Sequence, residues 1–241
     1  MTNDFTEDAF LNGAIRVRQS RDGYRFSIDA VILARHLAPA GPARIVDLGT
    51  GCGIIPLLLA GRYPEVTITG VEIQPQLSRL AEENVRRNDL AGRVTIACQD
   101  LRSFAAAAPA GRADLVTANP PFREASSGRI NPNRERALAR HEIAVTINDV
   151  TAAAARLLRV AGEFAVVYPA SRLIDLVAAM RTAGLEPKQL RLAHSRPEEA
   201  AKLAIIRGRK NGRPGLNVQP PLFIYQPDGT YTEEAARMFQ P

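Results

Sequence analysis

Residues 44–53, Arg44-Ile45-Val46-Asp47-Leu48-Gly49-Thr50-Gly51-Cys52-Gly53, decide how this chain is read. A short β-branched and apolar run carries an acid, turns through Gly49, Gly51 and Gly53, and passes into Ile54 to Arg62, an apolar stretch with helical character. A strand that turns through glycines into a helix leaves backbone amides open at the helix start, and glycine lets a ligand come close to them. An anionic group such as the carboxylate of a methionine moiety suits that place. The spacing Asp-x-Gly-x-Gly-x-Gly departs from the dinucleotide pattern Gly-x-Gly-x-x-Gly, so nicotinamide chemistry is the weaker fit.

Outward from this loop, β-branched or apolar runs alternate with amphipathic stretches, the pattern of strand–helix–strand units around a parallel sheet. Strands are expected at Arg44 to Asp47, Val66 to Glu72, Val94 to Cys98, Asp114 to Ala118, Glu163 to Tyr168, Pro187 to Leu192 and Lys202 to Arg207. Helices are expected at Phe26 to Leu37, Ile54 to Arg62, Gln74 to Asn88, Ile147 to Val160 and Arg172 to Ala183, the last stopped by Gly184. The fold class is therefore α/β, Rossmann-like, a mostly parallel sheet with helices on both faces. All 241 residues read as one domain, with 1–40 as an N-terminal cover and 208–221 as a basic hairpin loop.

Composition narrows the context. The first residues include Asp4, Glu7 and Asp8 and lack a basic start and a long apolar run, so they do not read as a secretory signal. No apolar stretch is long enough to span a bilayer, and two cysteines, Cys52 and Cys98, make no disulfide framework. A cytoplasmic protein, with a monomer favoured, is the expectation. A formal charge of +6, carried almost wholly by arginine, suits a polyanionic partner such as tRNA or another structured RNA. His36, His141 and His194 are widely spaced and no cysteine cluster accompanies them, so no metal site is expected.

Glu72 ends the second strand, where a carboxylate accepts hydrogen bonds from both hydroxyls of an unphosphorylated ribose. Its neighbour Ile73, and Asp100 with Leu101 after the third strand, complete the expected cofactor contacts. Asp100 also fits a plain helix cap. The most specific stretch is Asp114-Leu115-Val116-Thr117-Ala118-Asn119-Pro120-Pro121-Phe122, a strand running into a stiff turn at its carboxyl end. An aromatic amino group attacks carbon poorly because its lone pair is delocalised into the ring. The Asn119 side-chain carbonyl and the Pro120 backbone carbonyl could each accept one amino hydrogen and favour a pyramidal nitrogen, while Pro121 stiffens the turn and Phe122 stacks on an extruded base. Glycine loop, acid and turn together read as an S-adenosylmethionine-dependent methyltransferase acting on an exocyclic adenine nitrogen. Arg123, Arg129 and Arg134 after the turn, and Arg207, Arg209, Lys210 and Arg213 near the end, are the expected RNA contacts.

On Tyr24 to Ala30, Asp47 to Gly53, Glu72, Asn119 to Phe122, Pro221 to Tyr225 and Asp228 to Thr232, the chain resembles the class I methyltransferases. Among them it is most similar to the bacterial adenine-N6 methyltransferases that modify valine tRNA next to the anticodon. The resemblance implies a seven-stranded sheet whose last strand is antiparallel, with Phe26, Ser27 and Asp29 closing over the methionine end of the cofactor. Phe122 stands where a tyrosine is more common, which keeps stacking and removes a hydroxyl.

The same turn serves enzymes that methylate a glutamine amide of translation factors, although those carry a helical domain before the sheet and this chain has only about forty residues there. Guanine-N2 methylation of ribosomal RNA, and RNA binding by a catalytically silent module of the same fold, also fit these residues.

Overall fold

The computed structural model describes residues 5–20, 28–120 and 145–240, and in it each expected strand is present. The parallel strands are β3 (Arg44–Leu48), β4 (Thr67–Glu72), β5 (Val94–Cys98), β6 (Ala113–Ala118), β7 (Leu158–Pro169) and β8 (Leu185–His194). Strand β9 (Ala201–Lys210) runs antiparallel between β7 and β8, as the resemblance implies. Two short additions, β10 (Asn217–Val218) and β11 (Leu222–Phe223), pair in parallel with β8 and make the sheet nine-stranded, in the order β10-β8-β9-β7-β6-β3-β4-β5 with β11 also on β8.

Helices cover both faces because the strands alternate between two apolar sides. Helices α1 (Ile28–Arg35), α2 (Ile54–Arg62) and α3 (Pro75–Arg87) share one core with Ile45, Ile68, Ala165, Val167 and Ile205 of the sheet. On the other face α4 (Leu101–Ala107), α5 (Ile147–Leu157) and α6 (Leu173–Thr182) cover Val46, Leu48, Val116, Phe164 and Ile206. Local chemistry sets several starts. Pro75 opens α3, where its missing N–H costs nothing, and Thr146 with Asp149 forms a reciprocal capping box on α5. A last short helix, α7 (Glu233–Arg237), sits on the α1 side through Ala235 and Met238.

Three expectations change. The N-terminal cover contains a β-hairpin, β1 (Phe5–Phe10) and β2 (Ile15–Ser20), whose Phe10, Leu11, Ile15 and Val17 join the main core. Leu11, Asn12 and Gly13 all take positive φ in its turn, which only Asn-Gly announces in the sequence. Second, the helix expected to reach Val160 ends at Leu157, and β7 begins at once. Ala161 is left-handed there, and a side chain on Gly162 would lie 2.9 Å from the Arg159 carbonyl. Third, the basic hairpin does not form. Its first residues belong to β9, and the chain then crosses to pair β10 with β8, not with β9.

Candidate active site

Register places the site. Leu48 pairs with Val71 on one side and Ala118 on the other, so the next residues, Gly49, Glu72 and Asn119, emerge level at the carboxyl ends of three adjacent strands. Strands lie about 4.8 Å apart, which sets Glu72 and Asn119 roughly 10 Å from each other across the glycine loop. Asn119 is half-buried and Pro120 buried; Pro121, Phe122, Arg123, Arg129 and Arg134 lie outside the described residues, as do Phe26 and Ser27. Asp29 is in the first turn of α1.

The loop itself turns through Gly49, Gly51 and Gly53 at φ of 75°, 58° and 89°. At Gly49 an added side chain would project into open space, so there the glycine answers to backbone conformation and not to crowding. At Gly53 the neighbour is close: a Cβ would stand 3.3 Å from that of Ala81 on α3. Gly53 is also the N-cap of α2 and offers no side chain to the first amides of that helix. Those amides stay available to an anionic group.

Two buried acids give the loop its electrostatics. Glu72 accepts from the Gly51 amide at 2.9 Å through Oε2 and from the Gln74 amide at 2.9 Å through Oε1, so it fixes the loop while each oxygen keeps a second lone-pair site. Burial raises its pKa, and these amides hold the rise down. Asp47 Oδ1 accepts from Thr117 Oγ1 at 2.6 Å, whereas its Oδ2 is buried without a hydrogen-bond partner, as is Thr50 Oγ1. Burial pushes the Asp47 carboxyl up to about 6; the Thr117 hydrogen bond opposes that most, followed by Thr50, which lies near without completing hydrogen-bond geometry. A carboxylate left short of partners two residues before an open glycine fits a cationic amino group, and the methionine end of S-adenosylmethionine carries one. The residues present therefore fit that cofactor.

The remaining expected contacts divide. Ile73, 39% exposed at the end of β4, offers apolar surface beside Glu72. Asp100 caps α4 by accepting from the Arg102 amide at 2.7 Å, and the Arg102 guanidinium holds its carboxyl below the usual range. Leu101 is buried behind it. The Cys52 thiol is pushed up to about 12 by burial and stays neutral, in keeping with a packing residue.

Arg207, Arg209 and Lys210 are not brought to this edge. Strand β9 runs antiparallel, so Arg209 pairs with Glu163 and Lys210 with Leu185, near the amino ends of β7 and β8. Arg207 and Arg209 both form ion pairs with Glu163, at 2.5 and 3.5 Å, and Lys210 Nζ donates to the Leu158 carbonyl at 2.7 Å. Arg213 follows them and is exposed. The sequence reading missed Asn84, fully buried among Leu80, Ala81 and Val85 on α3; an amide at an apolar position of an amphipathic helix is the signal it gave.

Comparison with known proteins supplies the family and the fold. Residues 25–181 match the family model of the methyltransferase small domain. A tRNA1(Val) (adenine(37)-N6)-methyltransferase from Porphyromonas gingivalis is 30% identical, with 97% of this chain and 94% of that one covered. The enzyme of the same name from Tolumonas auensis is 29% identical over 94% and 92%. Among solved structures, a protein described as a predicted O-methyltransferase from Agrobacterium tumefaciens superposes with a TM-score of 0.69 at 21% identity, covering 87% of this chain and 94% of that one. Geranyl diphosphate C-methyltransferase from Streptomyces coelicolor, solved with S-adenosyl-L-homocysteine, gives 0.52 at 14% identity over 75% and 78%. Those two likenesses concern the fold alone. By the family model, by its length and by its sequence, this chain belongs to the methyltransferase small domain family and, within it, to the family of the tRNA1(Val) (adenine(37)-N6)-methyltransferases.

Proposed function

We propose that this chain methylates N6 of an adenine beside the anticodon of a valine tRNA, acting as a cytoplasmic monomer built as a single domain. The observation that carries the reading is the level placement of Gly49, Glu72 and Asn119 on three adjacent strands: a cofactor seat, a ribose acceptor and an amide for the target nitrogen along one edge. S-adenosylmethionine, when bound, supplies a methyl group already activated on a sulfonium. Glu72 receives the ribose hydroxyls, Asp47 faces the amino group of the methionine end, and the open amides of α2 face its carboxylate. Ile73 and Leu101 supply apolar contact, and Asp100 keeps a lone pair for the adenine amino group besides capping α4.

Asn119 does the work at the acceptor. Its side-chain carbonyl takes one hydrogen of the target amino group while the Pro120 carbonyl takes the other, which turns the nitrogen lone pair out of the ring plane. Phe122 stacks on the extruded base, and Phe26, Ser27 and Asp29 close the methionine end. No strong base is needed, since the newly methylated nitrogen is cationic and acidic enough to lose its proton to water, and positioning supplies most of the rate. Arg123, Arg129 and Arg134 lie next to this turn in sequence and are assigned to the RNA backbone. For Arg207, Arg209 and Lys210 the ion pairs and the Leu158 carbonyl support a structural role, with any RNA contact there, Arg213 included, remote from the target base.

Methylation of unmodified valine tRNA by the purified protein, read by mass spectrometry of its nucleosides, tests the assignment. N6-methyladenosine next to the anticodon is the expected product. Methyl groups appearing instead on guanine N2, or only on a translation-factor glutamine, would reject it.

A further inference from the structure

Asn84 on α3 and Asn88 at its C-cap stand one helical turn apart and face β2. Asn88 accepts from the Arg16 amide at 2.8 Å and donates to the Arg16 carbonyl at 2.7 Å; Asn84 accepts from the Arg18 amide at 2.8 Å and donates to the Arg18 carbonyl at 3.0 Å. Four helical residues rise about 6.0 Å and two strand residues about 6.6 Å, so two carboxamides at i and i+4 mimic the edge of a neighbouring strand. They satisfy the outer rim of a two-stranded hairpin that would otherwise carry open backbone groups.

The two amides differ in one respect. Asn84 Nδ2 also donates to the Cys52 carbonyl at 2.9 Å, inside the glycine loop, and Asn84 is fully buried where Asn88 is only half-buried. One turn earlier on the same helix, Ala81 backs Gly53. The loop therefore has Glu72 fixing Gly51 from the sheet side and Asn84 fixing Cys52 from the hairpin side.

We infer that Asn84 is a positioning residue that couples the docked N-terminal hairpin to the cofactor loop, so that cofactor binding and hairpin docking stabilise each other. No ligand atom need touch it. The inference rests on the glycine loop being the cofactor seat, and the experiment separates the two.

Calorimetry with S-adenosylmethionine is run on the full-length wild type, Asn84→Ala and Asn88→Ala. Losing the hydrogen bond that shapes the loop should raise the Kd of Asn84→Ala about tenfold, whereas Asn88→Ala stays within about twofold. Both variants lose hairpin hydrogen bonds, so both should melt at lower temperature, and kcat at saturating cofactor should change little in either. Equal Kd values for the two variants would overturn the coupling. A wild type that binds no S-adenosylmethionine would instead overturn the cofactor seat. Because Asn84→Ala leaves buried groups unpaired and could fail to fold, a second measurement uses the wild type alone. Amide hydrogen exchange of residues 15–20 should slow when S-adenosyl-L-homocysteine is added. Protection confined to the glycine loop would overturn the inference equally well.

Discussion

The two ends of the sheet carry the two patterns that stand out in the sequence, glycines at one and arginines at the other, and they differ in what surrounds them. At the carboxyl edge, Gly49, Glu72 and Asn119 converge around buried acids with unspent hydrogen-bonding capacity. At the amino edge, Arg207 and Arg209 pair with Glu163 and Lys210 donates to the Leu158 carbonyl, while Arg207 Nε is buried without a partner. A glycine loop after a parallel strand opens at the ligand-binding edge wherever that strand sits, because all parallel strands point the same way. A basic run ending an antiparallel strand points the opposite way. What distinguishes the edges is therefore strand direction, not residue chemistry.

The largest effect should come from Asn119→Ala. It removes an acceptor that matters most as the amino nitrogen becomes pyramidal, so single-turnover transfer to unmodified tRNA should slow by about a hundredfold or more. Cofactor Kd should stay near wild type, and an unaltered rate would remove Asn119 from the chemistry. Next, Glu72→Ala takes away the ribose acceptor and the partner of the Gly51 amide together, and should weaken cofactor binding by about 1–3 kcal/mol in calorimetry.

Asp47 sharpens the comparison through pH. Its folded pKa of about 6 lies above the unfolded value of 3.8, so the folded state holds the extra proton between them. Stability of the cofactor-free protein should therefore rise as pH falls from about 6 toward 4, from this group alone, and fall again on returning to neutral pH. Asp47→Asn should flatten that part of the profile and raise the melting temperature at pH 7. A profile identical to wild type would show that the carboxylate is not strained by burial.

The smallest effect is expected at the amino edge. Replacing Arg207, Arg209 and Lys210 with glutamine should lower the melting temperature yet leave the salt dependence of tRNA binding almost unaltered. If instead the slope shallows by about one unit for each charge removed, these residues touch phosphate and the two edges share the substrate.

Much of this is legible in the sequence because it is local. Strand β5 falls at Val94–Cys98, to the residue where the apolar pattern puts it, and the β3 loop is recognisable from its acid and glycines, since turn conformation and helix entry depend on residues a few positions apart. The N-terminal hairpin is not legible in this way. Its strands are short, and what anchors them is a pair of asparagines more than sixty residues away, at separations of 66 and 72. Lone buried amides such as Asn84 look like surface residues until their backbone partners are in place.

By itself, then, the sequence determined the order of the seven central strands, the glycine loop and the family, each of which is carried by neighbours along the chain. Tertiary structure alone decided which edge each motif faces: antiparallel insertion of β9 between β7 and β8 carries the arginines away from the loop, and the packing of β2 and the glycine loop on α3 gives Asn84 its partners, the Arg18 amide and carbonyl and the Cys52 carbonyl. Direction and distant pairing are properties of the packed sheet. They come from burying two apolar faces at once, which no window of sequence contains.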